Sequence, residues 1–305
     1  MCEDAYFLQS FAVGVSDGVG GWADYGITAA DFSESLMSSC SNVIRGMIRQ
    51  ECGSRGTESY EADSSVQDSI LFGIDDYSCS SQDLEEVEDQ FYLKKSSGQC
   101  ILDPAVIISQ AYRQVSAIGS ATAVVCALNS GELMCANIGD SGFLLIRFTD
   151  VSSPFIFLQS DAQQHSFNTP YQLTRLPTSL QIEQKLKEKG FAPTHVTNVV
   201  TQFAKQEFCS DAPEAAKLYQ TRVQEGDLLI VATDGLFDNL FPEELLEAVK
   251  SAVKGKAPHT VVPQEIANAI AARAYAKSKS NTERTPFSEA LSKVHGLSVF
   301  VSEIE

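Results

Sequence analysis

Runs of apolar residues with two different periods divide the chain into predicted strands and helices. The stretch 7-FLQSFAVGVS-16 predicts a buried strand, because small and branched apolar residues dominate it. Residues 28–52 predict a helix with an apolar residue at every third or fourth position, and Thr28 is its candidate N-cap. A second helix is predicted at 103–119.

A hairpin is predicted in the middle of the chain. The strands 121-ATAVVCALN-129 and 132-ELMCANIG-139 are separated by Ser130-Gly131, which is typical of a tight turn. The apolar stretch 142-GFLLIRF-148 predicts a further strand. The second half adds, in order, a strand at 227–233, helices at 242–255 and 263–278, and a strand at 297–304.

Hairpin-linked strands therefore alternate with paired helices, and no strand-helix-strand rhythm runs through the chain. This pattern favours antiparallel sheets covered by helices, an α+β fold, over a doubly wound parallel sheet. We expect a single domain over residues 1–305. Within it, residues 53–98 are rich in Ser, Gly, Asp and Glu, which predicts a solvated insertion, either a flexible surface loop or a regulatory or docking segment.

The chain is strongly acidic, and this charge narrows the range of partners. The 40 acidic and 22 basic residues give a formal net charge of −18. No nucleic-acid partner is expected, because binding to a phosphate backbone needs clustered Lys and Arg. An anionic substrate would need a local positive group to hold it.

The spacing of the cysteines indicates the kind of cellular compartment in which the protein folds. The eight cysteines are scattered without a C-x-x-C pair, which favours a reducing intracellular compartment over a disulfide framework.

No apolar run approaches the roughly 20 residues that span a bilayer, so we expect no membrane partner. The start shows no signal-peptide pattern. The first predicted strand begins within the first few residues of the sequence. Whether a targeting segment precedes it therefore stays open, and so does the choice between a cytoplasmic and a mitochondrial compartment. We expect a monomer.

Aspartates follow three of the apolar strands, and glycine follows each aspartate closely. They are Asp17 in 13-VGVSDGVGGW-22, Asp140 in 136-ANIGDSGF-143 and Asp234 in 229-LIVATDGLFDN-239. Taken alone, each is typical of a turn or a helix N-cap. Their repetition at strand ends indicates a common role. Asp238 lies one helical turn beyond Asp234, and Glu3 and Asp4 precede the first strand pattern.

Hard divalent cations suit this set of side chains. Mg²⁺ and Mn²⁺ prefer carboxylate, carbonyl and water oxygens, and glycines beside a ligand let backbone carbonyls approach. Zinc is disfavoured, because the sequence has no plausible His-Cys cluster. Two such ions about 3.5–4 Å apart can lower the pKa of a shared water and direct it at phosphorus. They would also supply the positive field that this acidic protein lacks.

The ordered motifs EDAYF, VSDGVGGW, GSATA, NIGDSGF and ATDGLFDN resemble the signature of the metal-dependent protein phosphatases of type 2C. More narrowly, DGVGGWADYG, 161-DAQQHSFNTPYQL-173 and ATDGLFDNLF resemble the mitochondrial branch of that family. The resemblance covers most of the chain except the insertion and the region around 175–215. It implies a four-layer αββα sandwich of two antiparallel sheets flanked by helices, with the metal ions at one end.

The resemblance also implies catalytic roles at the matching positions. Asp17 would bridge two Mn²⁺ or Mg²⁺ ions, and the carbonyl of Gly18 would bind one of them. Asp234 would ligate the second ion. These groups would activate a water that hydrolyses phosphoserine or phosphothreonine in a phosphoprotein substrate, without a covalent phosphoenzyme.

The same resemblance assigns further metal ligands and one structural motif. Glu3 and Asp4 would bind the ions directly or through waters. Asp140 and Asp238, together with the second-ion ligand, correspond to residues that hold a weaker third ion in the family. Residues 119–122 would form a structural motif at the start of a strand.

The last segment departs from the family pattern. The family ends with a strand introduced by Asp-Asp or Asp-Asn, whereas 293-KVHGLSVFVS-302 has His295 and Gly296 at those positions. His295 either donates a nitrogen to Mn²⁺ or is a surface residue at the start of the strand. A nearby acidic residue such as Glu289 is a possible substitute. A catalytically weakened or inactive pseudophosphatase that binds a partner is therefore the alternative function, and an unrelated acidic binding module is a third.

Three other features have two interpretations each. His165 either acts as a general acid or holds its loop by hydrogen bonds. Trp22, the only tryptophan, either packs in the core or lines the substrate entrance. The helix at 263–278 with Arg273, Lys277 and Lys279 predicts either a solvated face or, at its basic end, a docking site for a phosphoprotein.

Overall fold

The computed structural model describes residues 3–53, 101–150, 153–256 and 260–295. The predicted insertion, apart from its first residue, and the strand predicted at 297–304 lie outside the described residues. Among the described helices, not one combines the length and the hydrophobicity that a bilayer crossing requires.

Two antiparallel sheets form the centre of the fold. In spatial order, the larger sheet contains β1 (Asp4–Gln9), β2 (Ala12–Asp17), β4 (Ala123–Asn129), β5 (Glu132–Ile138) and β11 (Lys217–Arg222). The smaller sheet contains β12 (Leu228–Ala232), β6 (Gly142–Phe148) and β7 (Pro154–Gln159). Two short antiparallel pairs join β3 (Gly119–Ala121) to β10 (Leu173–Arg175) and β8 (Gln164–Ser166) to β9 (Thr169–Pro170).

Helices cover both sheets. The larger sheet packs against α1 (Ala29–Gly53) and α2 (Pro104–Gln114), and the smaller sheet against α6 (Pro242–Val253) and α7 (Pro263–Ser278). The helices α3 (Ser179–Glu188) and α4 (Pro193–Phe203) pack on each other and on a 3-10 helix at Gly20–Tyr25. The remaining α-helices of the described residues are α5 (Asp234–Phe237) and α8 (Pro286–His295).

The side chains of β4 show how the layers are held together. Val125 and Ala127 point into the core beneath α1 and α2, whereas Val124 and Cys126 point into a second core between the two sheets. This follows from the period of two in a strand, which sends successive side chains to opposite faces. The strand β6 alternates in the same way between the inter-sheet core and the core beneath α6 and α7. The predicted α+β class and four-layer sandwich are confirmed.

Several sequence predictions match the observed elements closely. Helix α1 begins one residue after Thr28, and α7 has the predicted bounds of 263–278. The turn between β4 and β5 has positive φ at both central residues, Ser130 at 49° and Gly131 at 83°. These angles are typical of a type I′ hairpin turn.

Two predicted boundaries are wrong for reasons of packing. Residues 7–16 do not form one strand, because the chain reverses after Gln9 and returns as β2. Phe11 in the turn still packs against the core, so the apolar run hides the reversal. Helix α2 ends at Gln114, because Val115 adopts extended φ and ψ angles while its side chain stays buried in the same core.

The predicted solvated basic face on α7 is wrong for Lys277. Its side chain is buried, and Nζ donates a hydrogen bond to Glu244 Oε2 at 2.6 Å. The ammonium group also lies 4.9 Å from the centre of the Phe241 ring. Since Glu244 Oε2 accepts a hydrogen bond from the Phe241 N–H at 3.0 Å, this buried cation ties α7 to the start of α6.

An ion pair joins the end of β6 to the turn before β12. Arg147 Nε and Nη2 donate to the two carboxylate oxygens of Asp227 at 2.9 and 2.7 Å, and the guanidinium lies 3.7 Å from the centre of the Phe157 ring. Burial favours the neutral form of Asp227, but the guanidinium and the Gln224 N–H outweigh burial and lower the pKa of this carboxyl group.

Replacing Asp227 with Asn should lower the thermal unfolding midpoint at pH 7 by several degrees, because Arg147 would lose its charged partner in a nearly buried site. The folded-state pKa of Asp227 is lowered, so its stabilisation is present above the ordinary carboxyl pKa of about 3.9 and is lost as the pH falls through the folded value. Circular dichroism melts of both proteins between neutral and acidic pH test this.

The control is Glu183→Gln, which breaks the solvent-exposed pair between Glu183 and Lys187 on α3. Exposed pairs contribute little, so this variant should melt close to the wild type. Equal midpoints for the two variants at pH 7 would contradict the prediction.

Candidate functional site

The β1–β2 hairpin brings two of the predicted ligands together. Asp4 at the start of β1 pairs in register with Asp17 at the end of β2, and their carboxyl groups interact. Loss of surrounding water raises the pKa of Asp4, and the hydrogen bonds with Thr233 and Asp17 only partly offset this. Two carboxylates directly opposite each other repel, so a proton or a cation between them would stabilise this pair.

The glycines after Asp17 let the chain approach Glu3 and α1 closely. The Gly18 N–H donates to the Glu3 carbonyl at 3.1 Å, and a Cβ at Gly18 would lie 2.6 Å from the Ala29 carbonyl oxygen. A Cβ at Gly20 would lie 2.7 Å from Glu3 Oε2. Burial raises the pKa of Glu3. The glycine cluster therefore places the Glu3 carboxyl group beside the loop that follows Asp17.

Thr122 fixes the end of β2 from the other side. The Asp17 N–H donates to Thr122 Oγ1 at 3.1 Å, and the Thr122 N–H donates to the Asp17 carbonyl at 2.9 Å. Ser16 Oγ adds a hydrogen bond to the Thr122 carbonyl at 2.7 Å. We call this set of bonds the Thr122 clamp. Because Gly119–Ala121 forms β3, these contacts agree with the structural role predicted for residues 119–122.

The Thr122 clamp also holds the corner that contains Asp140. Ser141 Oγ and Thr122 Oγ1 lie 2.7 Å apart and share a hydrogen bond. Gly139 has a φ of +104°, and a Cβ there would lie 2.6 Å from Thr122 Cγ2, so only glycine fits. Asp140 is 8% exposed and accepts a hydrogen bond from Gln164 Nε2 at 2.8 Å.

The third strand end carries Asp234 and Asp238. Asp234 begins α5 directly after β12, and the preceding residue, Thr233, donates to Asp4 Oδ2 at 3.3 Å. The Asp238 N–H donates to the Asp234 carbonyl at 2.7 Å. The Asp238 carbonyl accepts from the N–H of Phe287 at 3.1 Å, which ties this turn to the start of α8.

The structure joins some of the predicted ligands and leaves others apart. The carboxyl groups of Asp4 and Asp17 meet, and the Thr233 hydrogen bond brings the start of α5 to them. Across 3–53, 101–150, 153–256 and 260–295, however, no three His, Cys, Asp or Glu side chains form a group able to hold one ion. The full ligand set therefore stays a prediction.

The region of the missing family aspartate is only partly described. His295 is the last residue of α8, and the strand predicted after it lies outside the described residues. Glu289, the possible substitute ligand, forms an ion pair with Arg284.

His165 and Trp22 both have structural surroundings. His165 Nε2 lies 3.0 Å from a carboxylate oxygen of Asp211, and its ring stacks on Tyr171 with 4.1 Å between centroids. This supports the loop-holding interpretation. Trp22 is buried, donates from Nε1 to Ser120 Oγ at 2.7 Å, and stacks on Phe208. The core interpretation of Trp22 is confirmed.

The sequence did not reveal Thr233 and Gln164 as contacts of predicted ligands. Thr233 contacts Asp4, which is 229 positions away, and Gln164 contacts Asp140, 24 positions away. Both lie inside motifs that had been singled out, so their positions in ATDGLFDN and DAQQHSFNTPYQL were the only available signal.

The fold resembles a solved structure of the same class. The X-ray structure of the photosystem II phosphatase PBCP matches with a TM-score of 0.61 at 22% identity, covering 98% of this chain and 87% of that one. At 22% identity, this match shows that the two proteins have a similar fold.

The sequence comparisons identify similar proteins with names. A family model described as Protein phosphatase 2C matches residues 183–282. The chain is 29% identical over 293 residues to the Homo sapiens Protein phosphatase PTC7 homolog, covering 94% of this chain and 71% of that protein. It is 27% identical over 289 residues to the Arabidopsis thaliana Probable protein phosphatase 2C 62, covering 94% of this chain and 27% of that protein.

Over most of its length the chain is therefore similar to the protein phosphatases of type 2C. It spans about half, or less, of the plant relatives it matches, for example 51% of the Arabidopsis thaliana Probable protein phosphatase 2C 80.

Thr122→Val should lower the free energy of unfolding by about 1–3 kcal/mol, because the buried Asp17 N–H and the Ser141 hydroxyl lose their partner while the shape is kept. Urea unfolding followed by circular dichroism measures this. Thr201→Val on the exposed side of α4 removes a hydroxyl that bonds only to the Thr197 carbonyl, and should change stability by less than about 0.5 kcal/mol. Similar losses in the two variants would show that the Thr122 clamp has no special role.

Proposed function

We propose that the protein is a metal-dependent phosphatase that hydrolyses phosphoserine and phosphothreonine in protein substrates. The observation that carries this proposal is the in-register pair of Asp4 and Asp17, with Thr233 bonded to Asp4 at the start of the α5 turn. Like charges directly opposite each other in a sheet are destabilising, so a cation bound between these two carboxylates would stabilise the hairpin. The similarity to protein phosphatases of type 2C supports reading this arrangement as a metal site.

The donors present fit a hard divalent cation. Asp4, Asp17 and Glu3 offer carboxylate oxygens, Gly18 offers a carbonyl, and no Cys or His is among the described residues that meet at this hairpin. A pair of Mn²⁺ or Mg²⁺ ions would supply a water of lowered pKa and a positive field for phosphate. Asp17 would bridge the pair, and Asp234 would join from α5. A weaker third ion would use Asp140, Asp238 and Asp234.

The residues around the ligands keep them in place. The Thr122 clamp fixes the backbone of Asp17, so the point from which its carboxylate projects does not depend on the ions. The Phe287 N–H holds the Asp238 carbonyl, and α8 thereby limits movement of the α5 turn. A site held before the substrate arrives lowers the reorganisation that catalysis requires.

The proposed partner is a phosphoprotein, and we propose that the protein acts as a monomer in a reducing compartment, cytoplasmic or mitochondrial. The relatives named Protein phosphatase PTC7 homolog support a protein substrate. With a net charge of −18, the surface repels phosphate at long range, so local ions would be essential for binding.

One observation favours a pseudophosphatase as the alternative. His295 and Gly296 stand where the family pattern has acidic residues, and Glu289 is already paired with Arg284. A neutral imidazole would bring no charge to the second ion, which would weaken it. In this alternative the chain binds a partner without hydrolysing phosphate.

Asp17→Asn should abolish Mn²⁺-dependent hydrolysis of a phosphothreonine peptide, because an amide cannot bridge two cations as a carboxylate does. Phosphate release is measured against Mn²⁺ concentration for the native chain and the variant. Asp24→Asn is the matched control, because Asp24 is exposed on the nearby 3-10 helix and is not a predicted ligand.

His295→Asp separates the two candidate functions. In an active enzyme this change should lower the Mn²⁺ concentration needed for half-maximal turnover. A native chain without turnover at saturating Mn²⁺, with activity gained by His295→Asp, would establish the pseudophosphatase instead. Turnover that persists in Asp17→Asn would refute the metal-dependent proposal.

A further inference from the structure

The hairpin formed by β8 and β9 attaches to the Asp140 corner at two points. Gln164 Nε2 donates to Asp140 Oδ2 at 2.8 Å. The backbone N–H of Gln163 donates to the carbonyl of Gly139, the residue before Asp140, at 2.8 Å. The position of Gln164 relative to Asp140 is therefore fixed by the backbone as well as by its own side chain.

A further contact anchors this hairpin to Asp211. His165 Nε2 lies 3.1 and 3.0 Å from the two carboxylate oxygens of Asp211, and Asp211 Oδ2 also accepts from the Gln172 N–H at 2.9 Å. The β8–β9 register shifts between Gln164 and Ser166, and the two neighbouring side chains have different partners. His165 contacts Asp211, whereas Gln164 contacts Asp140.

The chemistry of a glutamine amide suits it to orient a carboxylate. Its NH₂ group donates to one oxygen and brings no charge, so it restricts rotation of the carboxylate without competing for a cation. Asp140 is only 8% exposed, so little water is available to do the same. Polar groups that hold a metal ligand in place commonly change metal affinity by 10–100-fold when they are removed.

We infer that Gln164 is a positioning residue that sets the orientation of the Asp140 carboxylate for the weaker Mn²⁺ or Mg²⁺ ion. This inference rests on the proposed function, because it takes Asp140 as a ligand of that ion. The pair between His165 and Asp211 holds the hairpin that presents Gln164. The motif DAQQHSFNTPYQL thereby gains a role at the metal site through its second glutamine.

The test compares Mn²⁺ binding of the full chain and of Gln164→Met, which keeps the length of the side chain but removes the donor. Titration of Mn²⁺ followed by electron paramagnetic resonance should show an approximately tenfold weaker Kd for the weakest ion. The thermal unfolding midpoint in the presence of EDTA should stay close to that of the control. The control is Gln9→Met, which removes a similar donor, bonded to Ser41, at the far end of β1.

A double-mutant cycle with Asp140→Asn gives the decisive readout. If Gln164 acts through Asp140, then Gln164→Met should weaken Mn²⁺ binding no further once Asp140→Asn is present. Equal and independent effects in the two backgrounds would overturn the inference, as would an unchanged Kd in Gln164→Met. A wild-type chain that binds no Mn²⁺ at all would refute the proposed function itself, which is a different result from binding that is insensitive to Gln164.

Discussion

Electrostatic repulsion between Asp4 and Asp17 is the constraint around which this end of the sandwich is organised. The β1–β2 hairpin has a single register, and that register sets the two carboxyl groups opposite each other. The surroundings contribute the Thr233 hydroxyl and tightly packed glycines. A cation bound between the two carboxylates would offset their repulsion. In the proposed function, this end of the sandwich is the point where an otherwise acidic molecule would bind positive charge.

The site is assembled from strand ends that different layers control. Asp17 belongs to the larger sheet, Asp234 follows a strand of the smaller sheet, and Asp140 lies where the chain passes from one sheet to the other. The buried core between the sheets therefore sets the distance between these aspartates, while the Thr122 clamp and the contact of Asp238 with α8 fix their local backbone. Stability of the sandwich and geometry of the site are coupled through the same side chains.

The sequence predicted the layers well because the apolar runs of β4 and β6 and the apolar spacing of α1 are local signals. It predicted the strand-end aspartates because each follows an apolar run. It failed where packing overrides pattern, as at Phe11, which fills the core from a turn, and at Lys277, whose charge is buried against Glu244. The contacts of Gln164 and Thr233 were invisible for a different reason. A hydrogen bond between residues far apart in the chain leaves no periodic trace, and the amide or hydroxyl that makes it is common in turns.

Trp22 has a consequence for how this molecule can be observed. It is the only indole in the chain, it is stacked on Phe208 from the α3–α4 side, and it bonds to Ser120 on β3, whose carbonyl accepts from the Val19 N–H two residues after Asp17. Light emitted by this one chromophore thus originates at the junction between the aspartate loop and the two outlying helices. The protein carries its own optical label at that junction, without any dye or engineered residue.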